Sequence, residues 1–461
     1  MCCAMLATQP PSRNECEAID LYRNHLDGLA IVAGHPEYES ARQVFNRMHD
    51  CHPLAIVRSM EPNSLATALR IATDYGLPIA IRGGGHHVAG FGTVDRGLVI
   101  DFSPFRAVSL APDGSTARAE PGARLVDVDS FLCPRGRVVP VGTVSQTGVA
   151  GLALSGGIGW LVGSLGYTCN CIVGADVMLA HGEVIQAEDP QHCDLLWALR
   201  GGGGNFGVVL EFRLRTFPMP PVRCRSGVVA WKAAPSVLSR LFDFLDQDCP
   251  RTMTCAAILQ HSAAGRFLQI DYCSSSGCAS DVERLERHLS TDISWATPVE
   301  DFIAWQQYFD RHFEPPMRGA WKSSYTPSLP RDEILTLYDA LGHSPGPGCS
   351  ILIEHLHGPS GPNDTSHSAF PLRNMKCGAL IAGRWPHPEM DKRYMDWVYG
   401  TFQSLDPAGR RHRYANYESG DLRGANLFQA DDRTRLRDVK RKYDPRNIFC
   451  RNHNISEGGA S

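Results

Sequence analysis

"RGGGHHVAGFG", Arg82–Gly92, places three glycines directly before two histidines at the end of an apolar run. Glycine frees the backbone for positive φ or lets another group come close to it, so this stretch clears its side chains away beside an imidazole. Upstream, "LAIVRSM" (54–60) reads as a strand and "NSLATALRIATDYG" (63–76) as a helix, with Leu65, Ala68, Leu69 and Ala72 at i, i+3, i+4 and i+7. "LPIAIRGG" (77–84) then reads as a second strand. Strand, amphipathic helix, strand is the pattern of a βαβ unit.

Working outward, "GLVIDFS" (97–103), "TARAEPGA" (116–123), a short helix near "RLVDVDSFL" (124–132) and a strand in "RVVPVG" (137–142) extend the α/β pattern. From about residue 219 the character changes. "VVAWKA" (228–233) reads as strand, "PSVLSRLFDFLDQ" (235–247) as helix, "CAAILQH" (255–261) and "FLQIDYC" (267–273) as strands, and "SDVERLERHL" (280–289) as helix. Paired strands between helices predict an α+β region with a mostly antiparallel sheet. Near the end, Leu436, Val439 and Tyr443 form one apolar stripe on a basic helix that "DPRN" (444–447) stops, because proline cannot continue it. "HSPGPG" (343–348) and "GPSGPNDTSHS" (358–368) read as loops.

The 461 residues, 43% of them hydrophobic, suffice for a sizeable core or two domains. A net charge of -4 gives no general attraction to nucleic acid or acidic membranes, so neither is expected as a partner. The first residues, "MCCAMLATQPPSRNECEAIDLYRN", carry no basic stretch followed by an apolar one, and no run of 18 apolar residues occurs. The expectation is a soluble, cytoplasmic protein. Sixteen cysteines are scattered without the paired spacings of a zinc site, "TCNC" (168–171) being the one close pair beyond the start. They read as small buried hydrophobes, with no metal and no disulfides expected.

Two further glycine-rich segments follow the first: "VGTVSQTGVAGLALSGGIGWLVGSLGY" (141–167) and "WALRGGGGNFGVVLEFRL" (197–214). Exposed N–H groups in such loops cradle phosphate, so a bulky phosphorylated cofactor is the natural candidate, tight turns the plain alternative. Gly202, Gly204 and Gly207 satisfy GxGxxG, but that fingerprint leaves a strand and opens a helix. Here "DLLWALR" is helical before it and "VVLEFRL" alternates as a strand after it, which argues against a nicotinamide-dinucleotide site. The lysine-containing phosphate loop of nucleotide triphosphatases is also missing.

Together the three segments resemble the FAD-linked oxidoreductases with a vanillyl-alcohol-oxidase-type (PCMH) flavin domain, in the branch of berberine-bridge-like enzymes and 6-hydroxy-D-nicotine oxidase. "RGGGH" resembles the family's flavin-attachment loop, "TGVAGLALSGGIGWL" its pyrophosphate and isoalloxazine loop, and "LLWALRGGGGNFGVV" its third flavin contact. "KRKYDPRNIFCRNHNI" (440–455) is similar to the family's closing segment, with "SAFPLR" (368–373) a weaker match. The resemblance implies an α+β, two-domain PCMH-type fold: a flavin domain over 1–218, a substrate domain over 219–410 built on an antiparallel sheet covered by helices, and a segment 411–461 returning to the flavin domain.

It implies FAD as cofactor, bonded through its 8α-methyl group to His86. Glycines let the flavin edge approach, and a neutral imidazole is a nucleophile. By residue chemistry alone, a histidine beside glycine is a loop hydrogen-bonder. Cofactor contacts are implied for Arg82, Gly83, Gly84, Gly85 and His87, for Gly142, Thr143, Thr147, Gly148, Gly151, Gly157, Gly159 and Trp160, for Gly207, Val208 and Val209, and for Asn452 and Asn454. Arg82 reads either as a phosphate neighbour or as a solvated arginine, and the two asparagines as flavin contacts or a capped C-terminal turn. Val144 stands where some relatives attach the flavin a second time through cysteine, which predicts a single covalent link. Two further departures are Asn170-Cys171 in place of Asp-Asn, and Ile158 in place of a tyrosine.

The reaction implied is oxidation of a small or cyclic organic substrate by hydride transfer to flavin, with dioxygen as acceptor giving hydrogen peroxide, in secondary metabolism or catabolism. A dehydrogenase using another acceptor and a non-redox flavin-binding protein are the alternatives. "YANY" (414–417) is similar to the family's base motif, making Tyr414 the first base candidate and Tyr417 the second; Tyr414 also reads as a core aromatic. A free tyrosine has a pKa near 10 and needs it lowered to act near neutrality. Trp305, Tyr308, Phe309, Phe313 and Trp321 read as core or as a platform for a flat substrate. Alternation in "IEHLHG" puts Glu354 and Leu356 on one strand face, His355 and His357 on the other.

Overall fold

Apolar alternation and helical periodicity resolve, in a computed structural model, into three large sheets and one two-stranded sheet, with helices packed against them. The structure describes residues 10–289, 292–313, 316–328, 331–357, 368–420 and 427–456. The loop expected over 358–368 lies outside these residues except for Ser368.

The first sheet comprises β1 (Ala30–Ile31), β2 (Ala55–Val57), β3 (Ile79–Arg82) and β4 (Leu98–Asp101), in the order β1-β2-β4-β3. The expected strand–helix–strand unit is present as β2, helix Pro62–Asp74 and β3. Its two strands are not neighbours: both pair in parallel with β4, which lies between them. Leu65, Ala68, Leu69 and Ala72 are all buried against this sheet, as their spacing requires.

The second, antiparallel sheet draws on β5 (Val108–Leu110), β6 (Thr116–Ala119), β8 (Ile172–Met178), β9 (Val184–Gln186) and β10 (Val208–Arg215), in the order β5-β6-β10-β8-β9. Only two residues of "RVVPVG" are extended, β7 (Arg137–Val138), which pairs with β11 (Phe217–Pro218). Pro140 removes the next backbone donor that a longer strand would need.

The third sheet is antiparallel and seven-stranded: β12 (Arg223–Ala230), β13 (Met253–Ser262), β14 (Gly265–Ser274), β15 (Ile293–Trp295), β16 (Arg318–Thr326), β17 (Cys349–His355) and β18 (Cys377–Trp385), ordered β15-β12-β14-β13-β17-β18-β16. β12 stops at Ala230; the rest of "VVAWKA" is a 3-10 turn leading into helix Ala234–Gln247. Period two divides this sheet. Met253, Cys255, Ala257 and Leu259 of β13 and Ile351 and Ile353 of β17 pack under helices Ala234–Gln247, Ala279–Leu289, Arg331–Gly342 and Asp391–Leu405. Ala256, Ile258, Gln260, Leu352 and Glu354, between them, face a cavity. The chain then returns across the first half: Leu436, Val439 and Tyr443 of helix Ala430–Tyr443 join the core of the second sheet. Among the described residues no helix is long and apolar enough to cross a membrane.

Candidate active site

The cavity, about 540 Å³, lies between the glycine-rich segments and the helix-free face of the third sheet. At one wall the first two glycine segments meet backbone to backbone. A Cβ on Gly84 would stand 2.5 Å from the Gly148 nitrogen, and one on Gly148 would stand 2.4 Å from the Gly84 nitrogen. No side chain fits between them. Gly85, at φ 65, then turns the chain in a way that other residues adopt only with strain, and His86 follows at the cavity wall.

The His86 ring stacks on Phe45, with centroids 4.0 Å apart and planes 20° from parallel. Burial, with Arg384 and Arg124 nearby, lowers its pKa to about 4, so the imidazole is neutral at pH 7. His87 differs. Its Nδ1 accepts from the Ala89 N–H at 3.1 Å and its Nε2 lies 3.1 Å from the Ala415 carbonyl, to which it donates. Both ring nitrogens of His87 are thereby engaged in holding the loop.

Across the cavity, Tyr414 and Tyr417 come from a turn anchored on β16. Ser323 Oγ accepts from the Tyr414 N–H at 2.9 Å and donates to Glu418 at 2.8 Å, and Lys322 pairs with Glu418 at 2.8 Å. The Tyr414 hydroxyl accepts from the Gly157 N–H at 2.7 Å and from Asn416 Nδ2 at 2.9 Å. Tyr417 and Tyr325 donate to the two carboxylate oxygens of Glu354, at 3.3 and 2.5 Å. Burial raises Glu354 to about 7 against the pull of the two phenols. The same burial pushes the Tyr414 and Tyr417 phenols above their ordinary range. Of these three groups the carboxyl is the one poised near neutrality.

A model described as "FAD binding domain" matches residues 53–188, and one described as "Berberine and berberine like" matches 413–456. The chain is 27% identical over 462 residues to (R)-6-hydroxynicotine oxidase of Paenarthrobacter nicotinovorans, covering 94% of this chain and 98% of that protein. It is 26% identical over 443 residues to an uncharacterized FAD-linked oxidoreductase, YgaK, of Bacillus subtilis, covering 93% and 96%.

The chain is an FAD-linked oxidoreductase.

The fold agrees: glucooligosaccharide oxidase of Acremonium strictum, described with a 6-S-cysteinyl, 8α-N1-histidyl FAD, superposes with a TM-score of 0.82 at 23% identity, over 96% of this chain and 100% of that one.

The cavity suits the cofactor of such an oxidoreductase. Gly151 and Gly204 line it, and a Cβ on either would meet no protein atom within 4 Å, so the wall is hollowed where side chains are missing. Asn452 donates from Nδ2 to the Gly204 and Phe449 carbonyls, at 2.9 and 3.1 Å. Its buried Oδ1 has no partner among the described residues, nor has Trp160 Nε1. One acceptor and one donor thus stand ready beside the hollow.

Of the residues expected to contact FAD, Arg82–His87, Gly142, Thr143, Thr147, Gly148, Gly151, Gly159, Trp160, Gly207, Val209 and Asn452 line the cavity. Gly157, Val208 and Asn454 do not line it. Gly157 instead donates to Tyr414. Val208 points to the opposite side of β10 from Val209, into the core of the first sheet. Asn454 accepts from the Ser456 N–H at 3.2 Å, a local turn contact. Arg82 is not solvated: it is buried, and its guanidinium is held by Asp101 at 2.8 and 2.9 Å.

The aromatic cluster divides. Phe309, Phe313 and Trp321 line the cavity, whereas Trp305 packs on Trp160, centroids 5.2 Å apart, and stacks with Tyr308. Ile158 fills its place by packing with Tyr167, Phe370 and Tyr414, and Asn170 Oδ1 accepts from the Cys169 thiol at 3.5 Å. The alternation expected in "IEHLHG" stops at His355, where β17 ends; His357 has φ 60, and Glu354, His355 and Leu356 all reach the cavity. The sequence reading missed Phe45 and Arg384, which carry no motif, and Asn416, whose signal was present as the third letter of "YAN".

Proposed function

We propose that this chain is an oxidase that holds FAD through a single covalent link at His86, takes a small, flat or cyclic organic substrate between the flavin and the third sheet, and uses dioxygen as electron acceptor. The observation that carries the reading is the buried, neutral His86 imidazole in the wall of a glycine-lined hollow. When bound, FAD supplies a two-electron acceptor for hydride from the substrate.

The rest of the chemistry belongs to the chain. Gly84 and Gly148 keep the two loops in contact, Gly151 and Gly204 leave room, and Asn452 Oδ1 and Trp160 Nε1 supply an acceptor and a donor. Val144, at the cavity wall, has no group for a second bond. Phe309, Phe313 and Trp321 offer flat apolar faces to the substrate. Glu354, ionised above about pH 7, takes the proton lost from a substrate hydroxyl or amine, either directly or through Tyr417, whose hydroxyl it already accepts from. Tyr414, fixed by Gly157 and Asn416, positions that pair from 4.8 Å away, ring centroid to ring centroid. Residues 1–218 and 411–461 would form the flavin unit and 219–410 the substrate unit, a division supported by the third sheet drawing every strand from 223–385.

The reading is tested by mixing the flavin-loaded protein, without oxygen, with panels of cyclic amines, phenolic alcohols and sugars. A substrate bleaches the visible flavin band, and admitting air restores it with one hydrogen peroxide formed per substrate oxidised. Bleaching that air leaves in place but an artificial acceptor reverses would make the protein a dehydrogenase.

A further inference from the structure

Where His355 reaches the flavin cavity, and outside the chemistry assigned to that cavity, three metal-ligating side chains converge. Cys249 lies in the short segment between helix Ala234–Gln247 and β13, His355 is the last residue of β17, and His357 follows two residues later. One ligand atom from each lies within 4.8 Å of the other two. The rings of His355 and His357 sit with centroids 4.4 Å apart at 63°.

We propose that Cys249, His355 and His357 bind a zinc ion, leaving one coordination position to water or a small ligand. Three observations converge on it. His355 is only 5% exposed, yet its Nδ1 has no hydrogen-bond partner among the described residues, a costly arrangement for a buried polar atom that a metal would relieve. His357 donates from Nε2 to the Met253 carbonyl at 2.7 Å, so its Nδ1 carries the free lone pair, and a carbonyl behind the ring is the usual support of a metal-bound histidine. His357 is also one of three non-glycine residues with positive φ among those described, at 60°, and the bend brings its ring beside that of His355. Such a conformation persists only where the surroundings impose it.

The donor set suits zinc: thiolate and imidazole are its preferred protein ligands. In the tetrahedral geometry of zinc the ligand atoms lie roughly 3.3–3.6 Å apart, given Zn–S near 2.3 Å and Zn–N near 2.0–2.1 Å. The three ligand atoms already lie within 4.8 Å of one another, and Cys249 and His357 are only partly buried. On binding, the S–Zn bond forms as the thiol proton leaves to solvent, with no change of oxidation state. Arg251, whose guanidinium donates to the His357 carbonyl at 3.2 Å, opposes a dication, and the thiolate charge offsets it. A zinc here would tie the end of β17, next to Glu354, to the segment leading into β13.

The test uses the full, flavin-loaded chain, stripped with a chelator, equilibrated with zinc chloride and desalted. Zinc per chain and the zinc X-ray absorption spectrum are then compared for wild type, Cys249→Ser and His357→Ala, with flavin content and melting temperature as folding controls. The expected result is about one zinc per wild-type chain, with one sulfur near 2.3 Å among nitrogen ligands, and affinity at least tenfold lower in each variant. Zinc retained equally by folded variants, a wild-type spectrum without sulfur, or no retained zinc would overturn the proposal. Should a variant fail to fold, the wild-type stoichiometry and its single sulfur decide.

Discussion

Glu354 owes its proton affinity to its place on β17, facing the cavity with Tyr325 and Tyr417 on its two oxygens. Burial raises its pKa to about 7, and a base works only when deprotonated. Turnover with a substrate that must lose a proton is therefore expected to rise with pH through about 7 and then level off. Glu354→Gln should lower kcat by about 10²–10⁴-fold and erase that rising limb, as a pH–rate profile would show; an unchanged limb would remove Glu354 from the chemistry. The residue was visible in the sequence only as one face of a strand. The base role proposed for it rests on burial, which raises its pKa, and on its contact with Tyr417, 63 positions away, which depends on where the 414–418 turn docks. Tyr414 was legible from its motif; the positioning role proposed for it rests on its two incoming hydrogen bonds.

Among the elements, the two glycine loops stand or fall together, because their backbones touch at Gly84 and Gly148. Gly84→Ala puts a methyl group into backbone atoms that cannot move aside, so the loops must separate. The expected outcome is a protein that folds with a several-fold lower flavin-to-protein ratio, measured by absorbance; Gly151→Ala, with open space at its Cβ, should perturb flavin content without lowering the melting temperature. The loops were readable because glycine leaves a dense local signal, as was helix Pro62–Asp74 from its four apolar positions. Two things were not readable. The parallel pairing of β2 and β3 across β4 is a long-range choice that no local pattern encodes. Nor could alternation alone say which of Val208 and Val209 meets the cavity, since β10 is buried on both sides and both neighbours are valine.

For the molecule as a whole, stability is squeezed between two sets of carboxyls. Asp129, Asp271 and Glu354 are raised by burial, each to about 7. A raised folded pKa stabilises fully below the unfolded value, near 4, and that contribution is lost as pH rises through about 7. Asp101, held by Arg82 and Arg58, is lowered, so its contribution is lost as pH falls through the acid range. The melting temperature should therefore peak in mildly acid solution. Asp129→Asn, which keeps an acceptor for Gln306, should raise it by a few degrees at pH 8 and leave it little changed at pH 5; equal effects at both would contradict the charge argument. The flavin attachment proposed here rests on one bond, at His86. Acid precipitation of the purified protein, followed by an absorption spectrum of pellet and supernatant, tests it in wild type and His86→Ala. Yellow colour is expected in the wild-type pellet and in the mutant's supernatant. Flavin released entirely from the wild type, or retained in the His86→Ala pellet, would contradict it.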